Sequence, residues 1–523
     1  KVLFCEKTAW ENKETTALTL RRTIKNPALW WPHDQGAPAL HESSVELLDA
    51  AGEVVDFRTQ RIGFRAVRMV MAPGQWRWRD EFPKTRSLPP FTLEINGRAL
   101  FAKGANWVSP EIFPGLAGRE TCDALLDLAR GAHMNLLRLW GGAPAQKEFF
   151  YERCDELGIM VWQEFPLACN CYPDDPAYLG VLDRESRSLI ARLKPHPSVV
   201  LWCGGNELFN HWSGMTDQAL PLRLLASNCY QLDPARPFLP TSPVEGVGHG
   251  HYVFRDPQTG VEAWAMFQDS RCTAYTEFGV PAPASEEILR EIIPEKELFP
   301  PRRDGSWAAH HALGAWQEQE DSHLYPETLE HYFGPADSLA QLVGRGQLLQ
   351  SEGLKGIYEE ARRQKPSASM ALCWCFNEPW PAAANLSVVS WPARPKPALA
   401  AVAAACRPLL ASARIRKFAW SEGESFDAQL WWLNDSPDEI PAPGPILPRV
   451  ETGDGGVFEL PPWDAAPLAI APNTNLQGPR LAWKIPALRG NCFKLVLDTP
   501  RHPEAASHYT LVIINPKKTP HPA

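Results

Sequence analysis

The 523-residue sequence predicts a multidomain α/β plus all-β protein, a (β/α)8 TIM barrel flanked by immunoglobulin-like β-sandwich domains. Three observations carry this. Short alternating segments fill residues 1–68. Apolar strand runs then alternate with helix-period segments across 69–410, and from 411 to 523 the pattern returns to strands. Strands interleaved with helices imply a parallel sheet, whereas successive short strands imply antiparallel sandwiches. The chain is too long for one core, in keeping with three units. The first sandwich reads as incomplete on its N-terminal side.

In order, the first unit offers strands at 16–20, 44–48 and 53–57, the last two joined by Asp49-Ala50-Ala51-Gly52, a hairpin-style turn. Trp30-Trp31-Pro32 reads as an apolar plug between domains. A small hairpin is expected at 91–98. Cys122, Leu125, Leu126 and Ala129 share one helical stripe, and a strand follows at 135–140. A second helix, with Phe150, Cys154 and Leu157 on one face, is closed by Gly158. Next come a strand at 159–165, a helix at 182–193 and the strand 198–202, which breaks on Gly204-Gly205 and delivers Asn206-Glu207. Residues 283–335 read as an insertion or long loop, and 398–405 as the last barrel helix. In the last unit, strands at 426–434 and 492–497 are separated by a linker-like 441–448.

A net charge of −9 without a dense Lys/Arg run argues against nucleic acid or an anionic membrane surface as partner. No apolar run approaches the roughly 18 residues of a membrane-crossing helix. The 21 Trp suit the flat apolar faces of sugars as well as cores. The 12 Cys include no Cys-x-x-Cys pair, so a zinc ribbon or thioredoxin-type site is not expected; free buried thiols are the default, with the disulfide state open. The sequence opens at Lys1 inside an apparent strand, so upstream sequence is expected. The compartment is left open, a periplasmic, secreted or lysosome-like one being favoured over the cytoplasm.

Polar and aromatic groups recur at the strand ends of the barrel region. They are Asn106-Trp107, Arg138 with Trp140, Gln163-Glu164, Asn206-Glu207, His249, His251-Tyr252, Tyr275-Thr276-Glu277, and Trp374 with Asn377-Glu378. A barrel gathers such tips into one pocket at its C-terminal face. Two carboxylates there are the minimum equipment for cleaving a glycosidic bond. Glu207, beside Trp202 and Asn206, suits the protonated acid. Glu277 suits the ionised nucleophile, with Arg138 and Tyr275 as its donors. Asn206 suits a sugar 2-hydroxyl, and Trp107, Trp140 and Trp374 suit pocket walls. Asn106, Glu164, His251, Tyr252 and Asn377 complete the expected substrate-binding set. Glu164 also reads as a structural partner of Arg138, and Cys203 as an inert buried thiol. His249 and His251 have no third ligand at a fitting spacing, so no metal is expected.

At these residues the sequence resembles glycoside hydrolase family 2, and within it the β-mannosidase branch. The motifs are Trp30-Trp31-Pro32, Ile62-Gly63-Phe64-Arg65, Lys103-Gly104-Ala105-Asn106-Trp107 and Arg138-Leu139-Trp140-Gly141-Gly142. They continue with Cys154-Asp155-Glu156-Leu157-Gly158, Val161-Trp162-Gln163-Glu164-Phe165, Trp202-Cys203-Gly204-Gly205-Asn206-Glu207 and Tyr275-Thr276-Glu277-Phe278-Gly279. The resemblance implies retention of configuration, no cofactor, Glu207 as acid/base and Glu277 as nucleophile. It therefore implies a retaining exo-β-glycosidase acting on terminal β-D-mannosides by double displacement, with a β-mannoside-containing oligosaccharide or glycan as substrate. The rivals are another family 2 specificity (endo-β-mannosidase, exo-β-glucosaminidase, β-galactosidase or glucuronidase) and a non-catalytic carbohydrate-binding protein. Departures are Gly205 in place of the Asn common in the branch and Ala143 in place of a third Gly. The family's jelly-roll sugar-binding domain is also missing, a separate N-terminal chain being one source for it.

Overall fold

The computed structural model describes residues 5, 7–8, 21–71, 91–313, 323–465, 467–488 and 490–514. The expected strand at 16–20 lies outside them. Near the N-terminus β1 (His41–Leu48) and β2 (Val54–Ile62) form an antiparallel hairpin. The Asp49 carboxylate closes its turn by accepting from the backbone N–H groups of Ala51 and Glu53, each at 2.9 Å. A three-stranded sheet of β3 (Val67–Val70), β4 (Thr92–Ile95) and β5 (Arg98–Ala99) follows. Asn96 and Gly97, with φ of 51 and 82, make its two-residue turn.

The central body is an eight-stranded parallel sheet. Its strands are β6 (Ala102–Trp107), β7 (Leu136–Leu139), β8 (Met160–Glu164), β9 (Val199–Cys203), β10 (Phe238–Leu239), β11 (Val247–His249) and β12 (Ala274–Glu277), then, after a short β13 (Ala282–Pro283), β14 (Met370–Cys373). The spatial order is β10-β9-β8-β7-β6-β14-β12-β11. One buried cluster takes Ala102, Leu136, Met160, Trp162, Leu201, Cys203, Leu239, Ala274, Met370 and Leu372 from seven of these strands, with Val247 of β11 packed against it. That is the filled interior of a TIM barrel. Trp30, Phe91, Leu93 and Ile95 join the same cluster and floor the barrel, and the Trp30 indole donates to the Asp155 carbonyl at 2.9 Å.

Helices α1 (Arg119–Gly131), α2 (Glu148–Leu157), α3 (Pro176–Leu193) and α4 (Leu220–Leu232) cover the outside. In α1 the buried positions are Cys122, Leu125, Leu126 and Ala129, the expected stripe. Gly158, in the left-handed region at φ 70, closes α2. α3 begins earlier than 182, because the Asp175 carboxylate caps it by accepting from the N–H groups of Ala177 and Tyr178. No helix separates β10 from β11. Of the 283–335 stretch, the described part carries short helices, among them Glu286–Ile292 and Pro326–Phe333.

A 25-residue helix, Leu339–Arg363, precedes β14, and Pro397–Ala405 packs against it. Beyond, strands Leu409–Ile415, Ser425–Asn434 and Asn475–Lys484 form one antiparallel sheet; Pro445–Thr452, Cys492–Asp498 and Ser507–Ile513 belong to a second. Phe426 of the first sheet packs on Phe493 of the second, 5.4 Å between ring centres. The expected linker at 441–448 is a strand from Pro445 onward. Ile446, Pro448, Val450 and Thr452 bury in alternation, a two-residue period that outweighs its prolines.

Candidate active site

The C-terminal strand ends converge on Arg138. Its side chain is fully buried and donates in four directions: to Glu164 Oε1 (2.8 Å), Asn106 Oδ1 (2.6 Å), Glu277 Oε1 (2.5 Å) and Asn206 Oδ1 (2.6 Å). Glu164 is anchored again by the Gly141 N–H at 2.7 Å. Asn106 gives its amide hydrogens to the carbonyls of Thr276 and Cys373, so it holds Arg138 and ties β6 to the strands beyond.

Glu277 is reached from the other side by Tyr252, whose hydroxyl donates to Oε2 at 2.7 Å. His249 Nε2 lies 3.1 Å from Glu277 Oε1 and 3.1 Å from Glu207 Oε1, so one imidazole bridges the two carboxylates. Its Nδ1 lies 3.3 Å from the Thr276 hydroxyl. Glu207 has φ +54, a left-handed conformation that a non-glycine residue keeps only where its surroundings hold it. Here they do: its N–H donates to Ser242 O at 2.7 Å, its carbonyl accepts from the Ser213 hydroxyl at 2.7 Å, and Asn206 is bridged to Leu167 and Cys169.

Burial alone would raise the Glu277 carboxyl, but the charges of His249 and Arg138 reverse this and hold it at about 2. Burial pushes Glu164 the other way, above the usual carboxylate range, despite Arg138. Two acids on one guanidinium are thus separated by their other neighbours. Burial and the adjacent Glu277 charge keep Tyr252 a neutral donor.

Of the residues singled out from sequence, Arg138, Asn106, Glu164, Asn206, Glu207, Tyr252 and Glu277 therefore form one connected group. Trp140 and Trp374 are half-buried and meet edge to face, 5.2 Å between ring centres. Trp107 is 1 % exposed, stacked on Phe376 and tilted against Phe150, a core position rather than a pocket wall. Asn377 is buried and donates to Val108 O. The His251 ring meets Phe267 edge to face, 6.5 Å between ring centres. Among the described residues no group of three or more His, Cys, Asp or Glu is placed to hold a metal ion.

Tyr275 does not reach Glu277. The ladder between β11 and β12 slips at His249, pairing Tyr275 with Gly248 but Glu277 with His249. This bulge breaks the strict alternation, leaving Tyr275 on the helix side with its hydroxyl donating to Gln364. Trp202 likewise faces the helices, stacked on Phe165 and donating to Asp233, so it gives Glu207 no apolar wall. Sequence reasoning missed the bridging place of His249 and the contact of Cys169 with Glu207. Position at the end of the strand beside Glu277 was the available signal for His249.

Residues 5–65 match the family described as Glycosyl hydrolases family 2, and residues 143–289 match Glycosyl hydrolases family 2, TIM barrel domain. A beta-mannosidase B of Thermothelomyces thermophilus is 29% identical over 414 residues, covering 72% of this chain and 46% of its own length. A beta-mannosidase of Rattus norvegicus is 27% identical over 390 residues, covering 68% and 43%. The crystal structure of a beta-D-mannosidase from Dictyoglomus thermophilum superposes with a TM-score of 0.77 at 27% identity, over 94% of this chain and 58% of that one. The chain is thus similar to the β-mannosidases of family 2. It spans about half the length of the curated relatives it matches. The family 2 barrel match ends at 289, so it contains both Glu207 and Glu277.

Proposed function

We propose that this family 2 chain carries the catalytic barrel of a retaining exo-β-mannosidase, placed at 69–410 between the units 1–68 and 411–523. The observation that carries the reading is the pair of 3.1 Å contacts from His249 Nε2, which leaves Glu207 Oε1 and Glu277 Oε1 no more than 6.2 Å apart. An inverting pair, roughly 6.5–9.5 Å apart, leaves space for a water; a retaining pair sits closer. Mannose as the sugar is supported by the relatives, each named a β-mannosidase.

In this reading ionised Glu277 attacks the anomeric carbon while Glu207 gives its proton to the departing oxygen, and the glycosidic C–O bond breaks. Glu207, now a carboxylate, takes a proton from water, which attacks the same carbon and releases Glu277. Arg138, Tyr252 and His249 orient the nucleophile. With Oδ1 committed to Arg138 and one amide hydrogen to Cys169, Asn206 has its second amide hydrogen for the sugar 2-hydroxyl. Trp140 and Trp374 make the sugar's wall.

A panel of nitrophenyl β-glycosides tests this. Release from the mannoside is expected; release from another sugar alone would replace the substrate. Glu207→Ala should slow substrates with poor leaving groups by about 100-fold or more, yet slow a dinitrophenyl mannoside far less. Equal losses on both would overturn the acid assignment.

A further inference from the structure

Cys169 is an exposed residue of the loop after β8, and the chemistry above does not use its thiol. Its backbone N–H donates to Asn206 O at 2.9 Å, and the Asn206 N–H donates back to Leu167 O at 2.9 Å, lacing the loop to the tip of β9. Gly205 permits this approach: at φ +154, a Cβ there would lie 2.3 Å from the Leu167 oxygen. The departure from Asn at this position therefore has a local reason. The Asn206 amide has only one workable direction. Arg138 is a donor alone, so Oδ1 faces it and Nδ2 faces Cys169 Sγ at 3.3 Å. The thiol keeps one hydrogen to give, and Glu207 Oε2 lies 3.4 Å away.

We propose that Cys169 is a positioning residue for Glu207: it donates its S–H to Oε2, extends the Arg138–Asn206 chain to the acid, and stabilises the carboxylate that Glu207 becomes on losing its proton. Burial first, and then the Glu207 charge, push the thiol up to about 11, so it remains a donor through the neutral range. The inference rests on Glu207 being the acid/base.

Removing a donor to the ionised form raises a carboxyl pKa. In Cys169→Ala the alkaline limb of kcat/KM for a β-mannoside with a poor leaving group should move up by roughly half a pH unit. Cys169→Ser, which keeps a donor at that position, should restore the wild-type limb. An Ala profile superimposed on the wild type, or a Ser variant shifted as far as Ala, overturns the proposal. Failure of the wild type to hydrolyse any mannoside would instead overturn the reading beneath it.

Discussion

The barrel buries a charged network at each end, and the two are wired in opposite senses. At the catalytic end Arg138 is shared by two carboxylates, Glu164 and Glu277, and His249 lies between Glu277 and Glu207. Near the N-terminal end of β6, one carboxylate, Asp435, is shared by three cations: Lys103 at 3.0 Å, Arg362 at 2.8 Å and Lys365 at 2.5 Å. Take Glu277 away and Arg138 keeps Glu164, Asn106 and Asn206. Take Asp435 away and, among the described residues, Asp34, 3.7 Å from Lys103, is the acid left within 4 Å of these three buried cations. A buried charge its neighbours can spare is available for chemistry. One that closes the local balance is committed to the fold, here joining the barrel to the C-terminal sheets.

The largest expected effect falls on the spared side. Glu277→Ala should lower kcat on a nitrophenyl β-mannoside by about four orders of magnitude or more, with partial rescue by azide. Its Tm should stay within about 4 °C of wild type. An unfolded variant would erase the contrast between the two ends. Next, Asp435→Ala should cost about 3–5 kcal/mol, because it strands uncompensated buried charge. A denaturation midpoint would read that loss, while the folded fraction turns over at the wild-type rate. A matching fall in its kcat would show that the two networks are coupled.

What the sequence made legible follows from range. The barrel could be read because each strand, each helical stripe and the cap at Gly158 is a local pattern. Glu207 and Glu277 could be read because each closes such a strand. The base network could not: Lys103 and Asp435 are 332 residues apart, and nothing local marks either as buried. Tyr252 rather than Tyr275 serves Glu277 because of a one-residue bulge, which reverses the side a residue faces without changing the composition of the strand. Trp107 sits at a strand tip as expected, yet Phe150 and Phe376 enclose it. The contact between Cys169 and Glu207 depends on a left-handed Cys169, φ +52, and on close approach at Gly205, neither visible as a motif.

The smallest effect separates the ends by pH. Both key carboxyls are held low by buried cations against the opposing effect of burial, Glu277 at about 2 and Asp435 well below the usual range. A carboxyl depressed in the folded state contributes stability that is fully present above its unfolded pKa and is lost as pH falls through its folded one. For Glu277 that window runs from about 4.5 down to about 2. Glu277→Gln imitates the protonated acid at every pH, so its stability deficit against wild type should be constant from pH 7 to about 5 and close as pH falls toward 2. Thermal melts of both proteins at stepped pH would trace it. The wild type should still lose stability below that window as Asp435 protonates. A deficit that stayed constant to pH 2 would mean that His249 and Arg138 do not favour the ionised form of Glu277, and the catalytic end would lose the asymmetry that distinguishes it from the base.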